Sequence, residues 1–242
     1  MVPIMGMAEI VEYGDAGLLI TFRHDDPEDR WRAAQDLQAG LLARRSAGVI
    51  DVVASFGTAF VSFDPAQTDH AAIADLVARC ADQGGEREQP QLFRVPAVYG
   101  GERGPDLTLV ADELGLTPAE LVDLHTCRPW TVRFRGSPVA SPMMDGPMMP
   151  ASISRNPVPR VRVAPGSVAV SGQQCLIYPV VSPGGWRLIG QTPVRLFDLA
   201  ANGLVSYRPG DRLLFFPIAE DQWGRYASRP LIAEPTDAGP DA

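Results

Sequence analysis

Cysteine, histidine and clustered basic residues are scarce in this chain of 242 residues, which has three cysteines and three histidines. The cysteines are far apart and odd in number, with neither a disulfide framework nor metal-ligand spacing. We therefore expect Cys80, Cys127 and Cys175 to be reduced thiols that are buried or inert. Lysine and arginine total 21 against 29 aspartate and glutamate residues, and they form no basic cluster. This balance excludes a phosphate-driven nucleic-acid surface, because such surfaces depend on clustered Lys and Arg.

Long apolar runs are also missing, since nowhere do about 18 consecutive apolar residues occur, and we expect no membrane-spanning helix. The opening segment has no basic start and is interrupted by Gly6, Glu9 and Glu12, so we expect a cytoplasmic protein without a signal peptide. No Gly-Lys-Ser/Thr sequence occurs, and any ATP is expected to be held without a P-loop. What the chain does have is 45% hydrophobic residues, which is enough for a packed globular core.

Residues 1–88 alternate between strand and helix patterns, which predicts a small α+β sandwich domain with the order β-β-α-β-β-α. A Gly-Asp-Ala-Gly sequence supplies the turn of the first strand pair. Each helix has one apolar face. The predicted elements are strands at 9–13 and 18–22, a helix from Pro27 to near Gly48, strands at 49–56 and 59–63, and a helix through Cys80.

A polar, breaker-rich segment at residues 84–90 is the predicted linker to a second domain, residues 89–233. Two short helical segments precede a region rich in Gly, Pro and brief strands, which is typical of a barrel or sandwich. The capping residues of Thr117-Pro118-Ala119-Glu120 predict a helix from 118 to about 126. Residues 234–242 are acidic and predicted to form a disordered tail. Strands are predicted at 131–134, 158–163, 168–170, 175–178, 187–189 and 212–218.

Arg160 and Arg162 are two positions apart in a predicted strand, and periodicity places their guanidinium groups on one face. Such a pair can grip a carboxylate or phosphate through bidentate contacts, although a solvated strand edge has the same pattern. Two tight turns, Pro165-Gly166-Ser167 and Gly184-Gly185-Trp186, would let backbone amides approach a ligand. Each turn is also typical of a barrel corner, and Trp186 of a core anchor.

His125 and Cys127 are the one Cys-His pair close together in sequence, and such a pair can form a nucleophile with its base. Two residues apart on a helix, however, they face different directions. Spacing alone therefore favours structural roles for both.

Many ordered segments resemble one family, and they cover nearly the whole chain. The longest is residues 182–198, SPGGWRLIGQTPVRLFD. The others include residues 14–19 (GDAGLL), 48–53 (GVIDVV), 98–102 (VYGGE), 104–107 (GPDL), 124–126 (LHT), 159–160 (PR), 166–168 (GSV), 177–179 (IYP) and 208–211 (RPGD). Together they resemble the family of the smaller, B-type 5-oxoprolinase subunit, the KipI-like sporulation-kinase inhibitors and allophanate hydrolase subunit 1, the carboxyltransferase domain with subdomains C and D.

The resemblance implies an α+β N-terminal domain followed by a cyclophilin-like β-barrel domain. It also implies a heteromer with a larger homologous subunit and a third subunit, which together hydrolyse 5-oxo-L-proline to L-glutamate at the expense of ATP. ATP would be a co-substrate, with Mg²⁺, and no tightly bound cofactor is expected. The residues carried over are Arg160, Arg162 and His125 as catalytic groups, and Ser167, Gln174, Tyr178, Gly184, Gly185 and Trp186 as substrate or nucleotide contacts.

One segment departs from the family pattern, GFAPGFPYLGG, of which residues 136–146 keep only Gly136, Pro142 and Gly146. Ser137, Ser141 and Met143 stand where that pattern has aromatic residues, and Val139-Ala140 replaces a Pro-Gly turn. We therefore expect a different pocket wall. Two alternatives stay open: a KipI-like inhibitor of a histidine kinase, and a divergent paralogue that acts on another amide or a urea-like substrate.

Overall fold

The computed structural model describes residues 8–44, 46–81, 89–137, 139–200 and 204–234, together with the backbone of a short strand at residues 2–4. The chain forms two compact units, Met1–Glu88 and Gln89–Ala242, which we describe separately as unit 1 and unit 2. Most of the predicted linker and all but Glu234 of the predicted tail lie outside the described residues.

Unit 1 has two helices and a five-stranded antiparallel sheet in its described part. Its elements are β1 (Val2–Ile4), β2 (Ala8–Glu12), β3 (Gly17–Phe22), α1 (Pro27–Arg44), β4 (Val49–Ala54), β5 (Thr58–Phe63) and α2 (His70–Ala81). The strand order is β1-β2-β3-β5-β4, with every neighbouring pair antiparallel.

Alternating burial along the strands gives unit 1 its core. Leu18, Ile20 and Phe22 of β3 are buried together with Leu37 and Leu41 of α1. Side chains two apart on a strand share one face, so Leu18, Ile20 and Phe22 all face the helices. Burying each such side chain contributes about 1.5–3 kcal/mol to stability.

The six elements predicted for this unit are all present, and the differences are at their ends. Helix α1 ends at Arg44 instead of continuing to near Gly48. Gly48 has φ of +84°, a backbone conformation that suits glycine, and it serves the turn into β4. Strand β1, of three residues, was not predicted because so short a run has no readable period.

Unit 2 is built around a closed barrel of seven strands. Its elements are β6 (Leu92–Tyr99), α3 (Leu107–Leu114), α4 (Pro118–Thr126), β7 (Trp130–Gly136), β8 (Ser141–Asp145), β9 (Arg160–Val163), β10 (Ser167–Ser171), β11 (Gln174–Ile177), β12 (Ser182–Gly184), β13 (Arg187–Gln191), β14 (Arg212–Pro217), a 3₁₀ turn (Glu220–Gln222) and α5 (Trp223–Tyr226). The barrel order is β10-β11-β8-β7-β14-β6-β13, and β9 and β12 form a separate two-stranded sheet.

The predicted barrel is confirmed, and so is the helix at Pro118–Thr126. The side chain of Thr117 accepts a hydrogen bond from the Glu120 amide, and Glu120 accepts one from the Thr117 amide. This reciprocal capping satisfies two amides that the first helical turn leaves free. Helix α4 therefore begins at the residue that the sequence specifies.

Strand β6 was missed because Pro96 lies in its middle, and proline is rare in central strands. The register explains why it is tolerated. β6 pairs in parallel with β14 from Leu92 to Ala97, whereas its pairing with β13 involves only Val98 and Tyr99. Among the described residues, Pro96 therefore lies where β6 is paired with a strand on one side only.

Within the described residues, no helix is both long enough and apolar enough to cross a bilayer.

Candidate functional site

The nine site residues predicted from the sequence fall in separate places in unit 2. Arg160, Gly184, Gly185, Trp186 and Tyr178 gather at the two-stranded sheet of β9 and β12. The other four differ in exposure, and of these His125 and Gln174 lie apart from the group, whereas Arg162 is on β9 and Ser167 adjoins Tyr178. They are His125 in the barrel core, Gln174 in the β10–β11 hairpin, Ser167 at the start of β10, and Arg162 on the surface.

One side of the two-stranded sheet is covered by the barrel. Val163 of β9 is buried in an apolar cluster with Ala169, Leu176 and Leu188, which come from three barrel strands. Ser182 of β12 pairs with Val163 and is also buried. The side chains on this side of the sheet therefore meet the barrel wall instead of solvent.

The two arginines of β9 are not equivalent. Between the pairs Ser182–Val163 and Gly184–Arg160, β9 contains one residue more than β12, so the strand is bulged there. Arg160 is half-buried, whereas Arg162 is exposed. The two guanidinium groups therefore have different surroundings, and the bulge interrupts the period of two on which their predicted common face depends.

Arg160 is held by a buried carboxylate. Its Nη2 donates to Oδ1 of Asp106 over 2.8 Å, and Oδ2 of Asp106 accepts from the backbone amide of Leu188 over 2.7 Å. Asp106 is only 6% exposed. The second terminal nitrogen of Arg160, Nη1, is buried and has no hydrogen-bond partner among the described residues. An N–H in that state carries a desolvation penalty of about 1–3 kcal/mol.

Tyr178 lies beside Arg160, over the glycine of β12. A Cβ at Gly184 would come within 2.2 Å of the Tyr178 hydroxyl oxygen, so any larger residue there would require the Tyr178 ring to shift. Burial raises the pKa of Tyr178, while a hydrogen bond from the Trp186 backbone and the charges of Arg155 and Arg160 act in the opposite direction. Two positive charges therefore act on one buried phenol.

The surrounding segment adds further polar groups. Arg155 lies with its guanidinium carbon 5.7 Å from the centre of the Trp186 ring. Asn156 donates from its side chain to the Trp186 carbonyl and from its backbone to Gly185. The Oγ of Ser182 is the other buried side-chain atom without a partner among the described residues. We call Arg160, Asp106, Ser182 and Tyr178 the anion site, because its charge and free donors suit a carboxylate or phosphoryl group.

His125 is part of the barrel core. Its ring is fully buried, with Nδ1 2.9 Å from the Tyr99 hydroxyl and Nε2 3.4 Å from the Cys175 sulfur. Its backbone carbonyl accepts from the indole of Trp130. Burial lowers the pKa of His125 to about 3, so the ring is neutral at neutral pH. These contacts give His125 a structural role and leave it remote from solvent, which argues against its predicted catalytic assignment.

The cysteines differ from one another. Cys80 and Cys175 are buried, as expected, and burial raises the pKa of each thiol. Cys127 is exposed, so the expectation that it is inert stays a prediction. All three are free thiols.

Ser167 and Gln174 lie at opposite ends of the β10–β11 hairpin. The backbone carbonyl of Ser167 accepts from the amide of Tyr178, which places it near the anion site. Gln174 pairs with Ser171 beside the hairpin turn. Their register separates the two by the length of the hairpin, so one compact pocket does not contain both.

Two clefts of unit 2 lie away from every predicted site residue. One, of about 640 Å³, is lined by residues that include Arg128, Arg133 and Met148. The other, of about 500 Å³, includes Phe216 and Ile232. Neither cleft is lined by Arg160 or Ser182, the described residues that have a buried side-chain atom without a hydrogen-bond partner.

Sequence reasoning missed Asp106 and Ser182 as site residues. Asp106 belongs to the Gly104-Pro105-Asp106-Leu107 segment, and Ser182 opens the long SPGGW segment, both of which support the family resemblance. The signal was therefore present as a motif. The environments of both depend on burial, and that of Asp106 also on a partner 54 residues away, which no spacing rule predicts.

The segment that departs from the family pattern contacts the same region. Met143 packs against the apolar cluster that includes Tyr178 and Trp186. Between β7 and β8, Val139 and Ala140 have φ of +43° and +56°, which side chains with a Cβ rarely adopt. The hydroxyl of Tyr207 donates to the Ala140 carbonyl over 2.7 Å and holds this turn. The altered segment thus contributes to the packing beneath the anion site.

Comparison with known proteins agrees with this architecture. The chain is 38% identical to the B-type 5-oxoprolinase subunit of Escherichia coli O157:H7 over 132 residues, which are 54% of this chain and 61% of that protein. It is 29% identical to the corresponding 5-oxoprolinase subunit of Bacillus subtilis (strain 168) over 230 residues, 90% of this chain and 96% of that one. The solved structure of TTHA0988 matches 85% of this chain and 40% of its own length, with 30% identity and a TM-score of 0.73.

The aligned part thus spans less than two thirds of the E. coli relative and of TTHA0988, and nearly all of the B. subtilis protein. The model of one family, described as carboxyltransferase domain, subdomain C and D, matches residues 8–205. This match runs through most of both compact units. The chain therefore belongs to the carboxyltransferase domain family, subdomains C and D.

Proposed function

We propose that this chain is a subunit of a 5-oxoprolinase-type complex in the cytoplasm. The observation that supports the proposal most strongly is the match to the B. subtilis 5-oxoprolinase subunit, which extends over 90% of this chain and 96% of that protein. In this proposal the chain is inactive alone and works with a larger homologous subunit and a third subunit. We also propose that its closed barrel is cyclophilin-like, as the family resemblance implies.

The proposed reaction opens the lactam of 5-oxoproline with ATP as the co-substrate. The lactam oxygen attacks the γ-phosphorus, and the bond from that phosphorus to ADP breaks. One water then adds to the activated carbon, the carbon–nitrogen bond breaks, and the nitrogen gains a proton. A second water releases phosphate from the acyl phosphate and leaves glutamate. Mg²⁺ is expected to arrive with the nucleotide.

Within that reaction, Arg160 is the residue we assign to charge stabilisation. Negative charge on the transferring phosphoryl group needs preorganised donors at fixed positions. Arg160 has a free buried Nη1, and Asp106 holds the guanidinium in place. Arg162 is exposed on the surface, so it contributes only where a partner subunit covers that surface.

A second candidate function is favoured by the altered segment. Met143 contacts the cluster under the anion site, and the turn at Val139 and Ala140 has an unusual backbone. Both features change the surroundings of the proposed pocket. They favour a divergent paralogue that acts on another amide or a urea-like substrate.

One experiment separates the two candidates. The chain is co-expressed with its larger homologous subunit and the third subunit, and ATP hydrolysis is followed with 5-oxoproline, hydantoin, urea or allophanate. Hydrolysis that depends on 5-oxoproline, and that requires all three subunits, is the expected result. Dependence on a urea-like compound instead supports the paralogue, and ATP hydrolysis with none of them contradicts both.

A further inference from the structure

Asp106 occupies the N-cap position of α3 but does not cap the helix. Aspartate at this position normally accepts from the amides of the first turn and stabilises the helix. Asp106 has φ of −100° and ψ of 1°, and its side chain makes no capping hydrogen bond. Its carboxylate is instead directed to groups outside α3. The sequence position that favours helix capping therefore has another use in this chain.

Both oxygens of that carboxylate have defined partners. Oδ2 accepts from the Leu188 amide over 2.7 Å, and the Asp106 amide donates to the Leu188 carbonyl over 2.9 Å. This double connection fixes Asp106 to strand β13 of the barrel. Oδ1 is thereby held at the position where it accepts from Nη2 of Arg160. A planar guanidinium held at one edge has its remaining N–H groups fixed as well.

The fixed guanidinium leaves Nη1 buried without a partner among the described residues, and Ser182 Oγ is in the same condition. Both residues lie on the two-stranded sheet, where Gly184 pairs with Arg160 and Ser182 with Val163. Buried donors in native proteins are nearly always satisfied, by protein or by something bound. An oxyanion supplies an acceptor of the kind that Nη1 of Arg160 lacks.

We propose that Asp106 is the positioning residue of this anion site, and that it acts through Arg160 to bind a carboxylate or phosphoryl group. Asp106 itself does not touch the ligand. The competing explanation is an ion pair that only fastens the two-stranded sheet to the barrel. The two explanations differ in one respect: only a positioning role makes anion affinity fall when the Asp106 charge is removed, because the loss of a nearby negative charge by itself favours anion binding.

The inference rests on the proposed function in one respect only, the choice of phosphate and 5-oxo-L-proline as the test anions. The full chain, labelled with ¹⁵N-arginine, is titrated with inorganic phosphate and separately with 5-oxo-L-proline. Binding is measured by calorimetry and by the side-chain resonance of Arg160. Phosphate binding identifies a phosphoryl site, and 5-oxoproline binding identifies a carboxylate site. Either supports the proposal, whereas wild-type protein that binds neither anion overturns it.

The decisive variant is Asp106→Asn, which keeps the size of the side chain and removes its charge. We expect the affinity for the bound anion to fall roughly tenfold or more, because a charge-assisted contact to Arg160 is lost. Glu220→Gln is the matched control, since Arg103–Glu220 is a similar pair at 2.9 Å and Arg103 has the same 30% side-chain exposure as Arg160. Affinity within about twofold of wild type is expected for that control.

Equal affinities of Asp106→Asn and wild type contradict the positioning role, and so does an equal loss in Glu220→Gln. If Asp106→Asn does not fold, Arg160→Lys decides the question. Lysine keeps the charge and a contact to Asp106 but lacks the second fork nitrogen, so anion affinity should again fall roughly tenfold. Wild-type affinity in Arg160→Lys overturns the inference. Intact anion binding without 5-oxoproline-dependent ATP hydrolysis in the assembled complex contradicts the proposed function alone.

Discussion

Unit 2 contains two polar clusters that are buried in different ways. In the barrel core, His125 contacts Tyr99 and Cys175, and each of these groups finds its partner inside the protein. At the two-stranded sheet, Arg160 and Ser182 each keep a buried atom without a partner among the described residues. The difference indicates which cluster is functional. Polar groups that are hydrogen-bonded within the protein, as around His125, stabilise the fold, whereas buried groups without a partner, as at Arg160, are available to a ligand.

The largest effect is expected from His125→Ala, which tests the structural side of this comparison. The substitution removes a fully buried ring and leaves the Tyr99 hydroxyl without its partner. We expect a loss of about 3–5 kcal/mol in the free energy of unfolding, as for other large core residues. Urea unfolding of the isolated chain measures it. A loss below about 1 kcal/mol would show that the core cluster is not structural.

A smaller effect is expected at the glycines of the two-stranded sheet. In Gly184→Ala the new methyl group meets the Tyr178 hydroxyl, so we expect a loss of about 1–3 kcal/mol together with weaker anion binding. Gly185→Ala is the control, because its nearest neighbour is 3.6 Å away, an ordinary contact. Thermal unfolding of the two variants compares them. Equal losses would contradict the tight packing of Tyr178 on Gly184.

The pH dependence of stability distinguishes the core cluster from the anion site. The pKa of His125 falls from 6.5 to about 3 on folding, so protonation favours the unfolded chain. The stability that depends on a neutral ring is complete above pH 6.5 and is lost as pH falls towards 3, by about 1.4 kcal/mol per pH unit. His125→Phe should lack this component. Urea midpoints of both proteins between about pH 7 and 4 measure it, and parallel curves would contradict it.

The smallest effect is expected in the turn between β7 and β8. The unusual feature there is a strained backbone, whereas at the anion site it is a buried polar atom without a partner. Val139 and Ala140 both have positive φ, which favours Asn-Gly in a turn of this type. The double substitution Val139→Asn, Ala140→Gly should raise stability by roughly 1 kcal/mol. The bond from Tyr207 to the Ala140 carbonyl involves only the backbone of the turn and should persist. A lower melting temperature would show that the turn is not strained.

Much of the fold could be predicted because it depends on local pattern. The capping residues of Thr117 and Glu120 specify the start of α4, and brief strand-like runs indicate most barrel strands. Strand β8 was missed because Pro142 and the turn before it obscure its period. Strand β6 was missed because its Pro96 is tolerated only through the register with β14.

The site was only partly predictable. Arg160, Tyr178, Gly184 and Trp186 lie in motifs that the family resemblance supplies. His125 was assigned from a motif that does not reveal its burial, so its catalytic role stays a prediction that its internal contacts do not favour. Asp106 was missed because an aspartate before a helix predicts a cap. Its role comes from long-range packing, which joins α3, β9 and β13.

The most direct test of the account is the turnover of Arg160→Ala in the assembled complex. We expect 5-oxoproline-dependent ATP hydrolysis to fall roughly 100-fold, the loss typical of removing one preorganised charge-stabilising donor. Size-exclusion chromatography of the variant complex confirms that assembly is retained. Turnover equal to that of the wild-type complex would contradict the assignment of the anion site to catalysis.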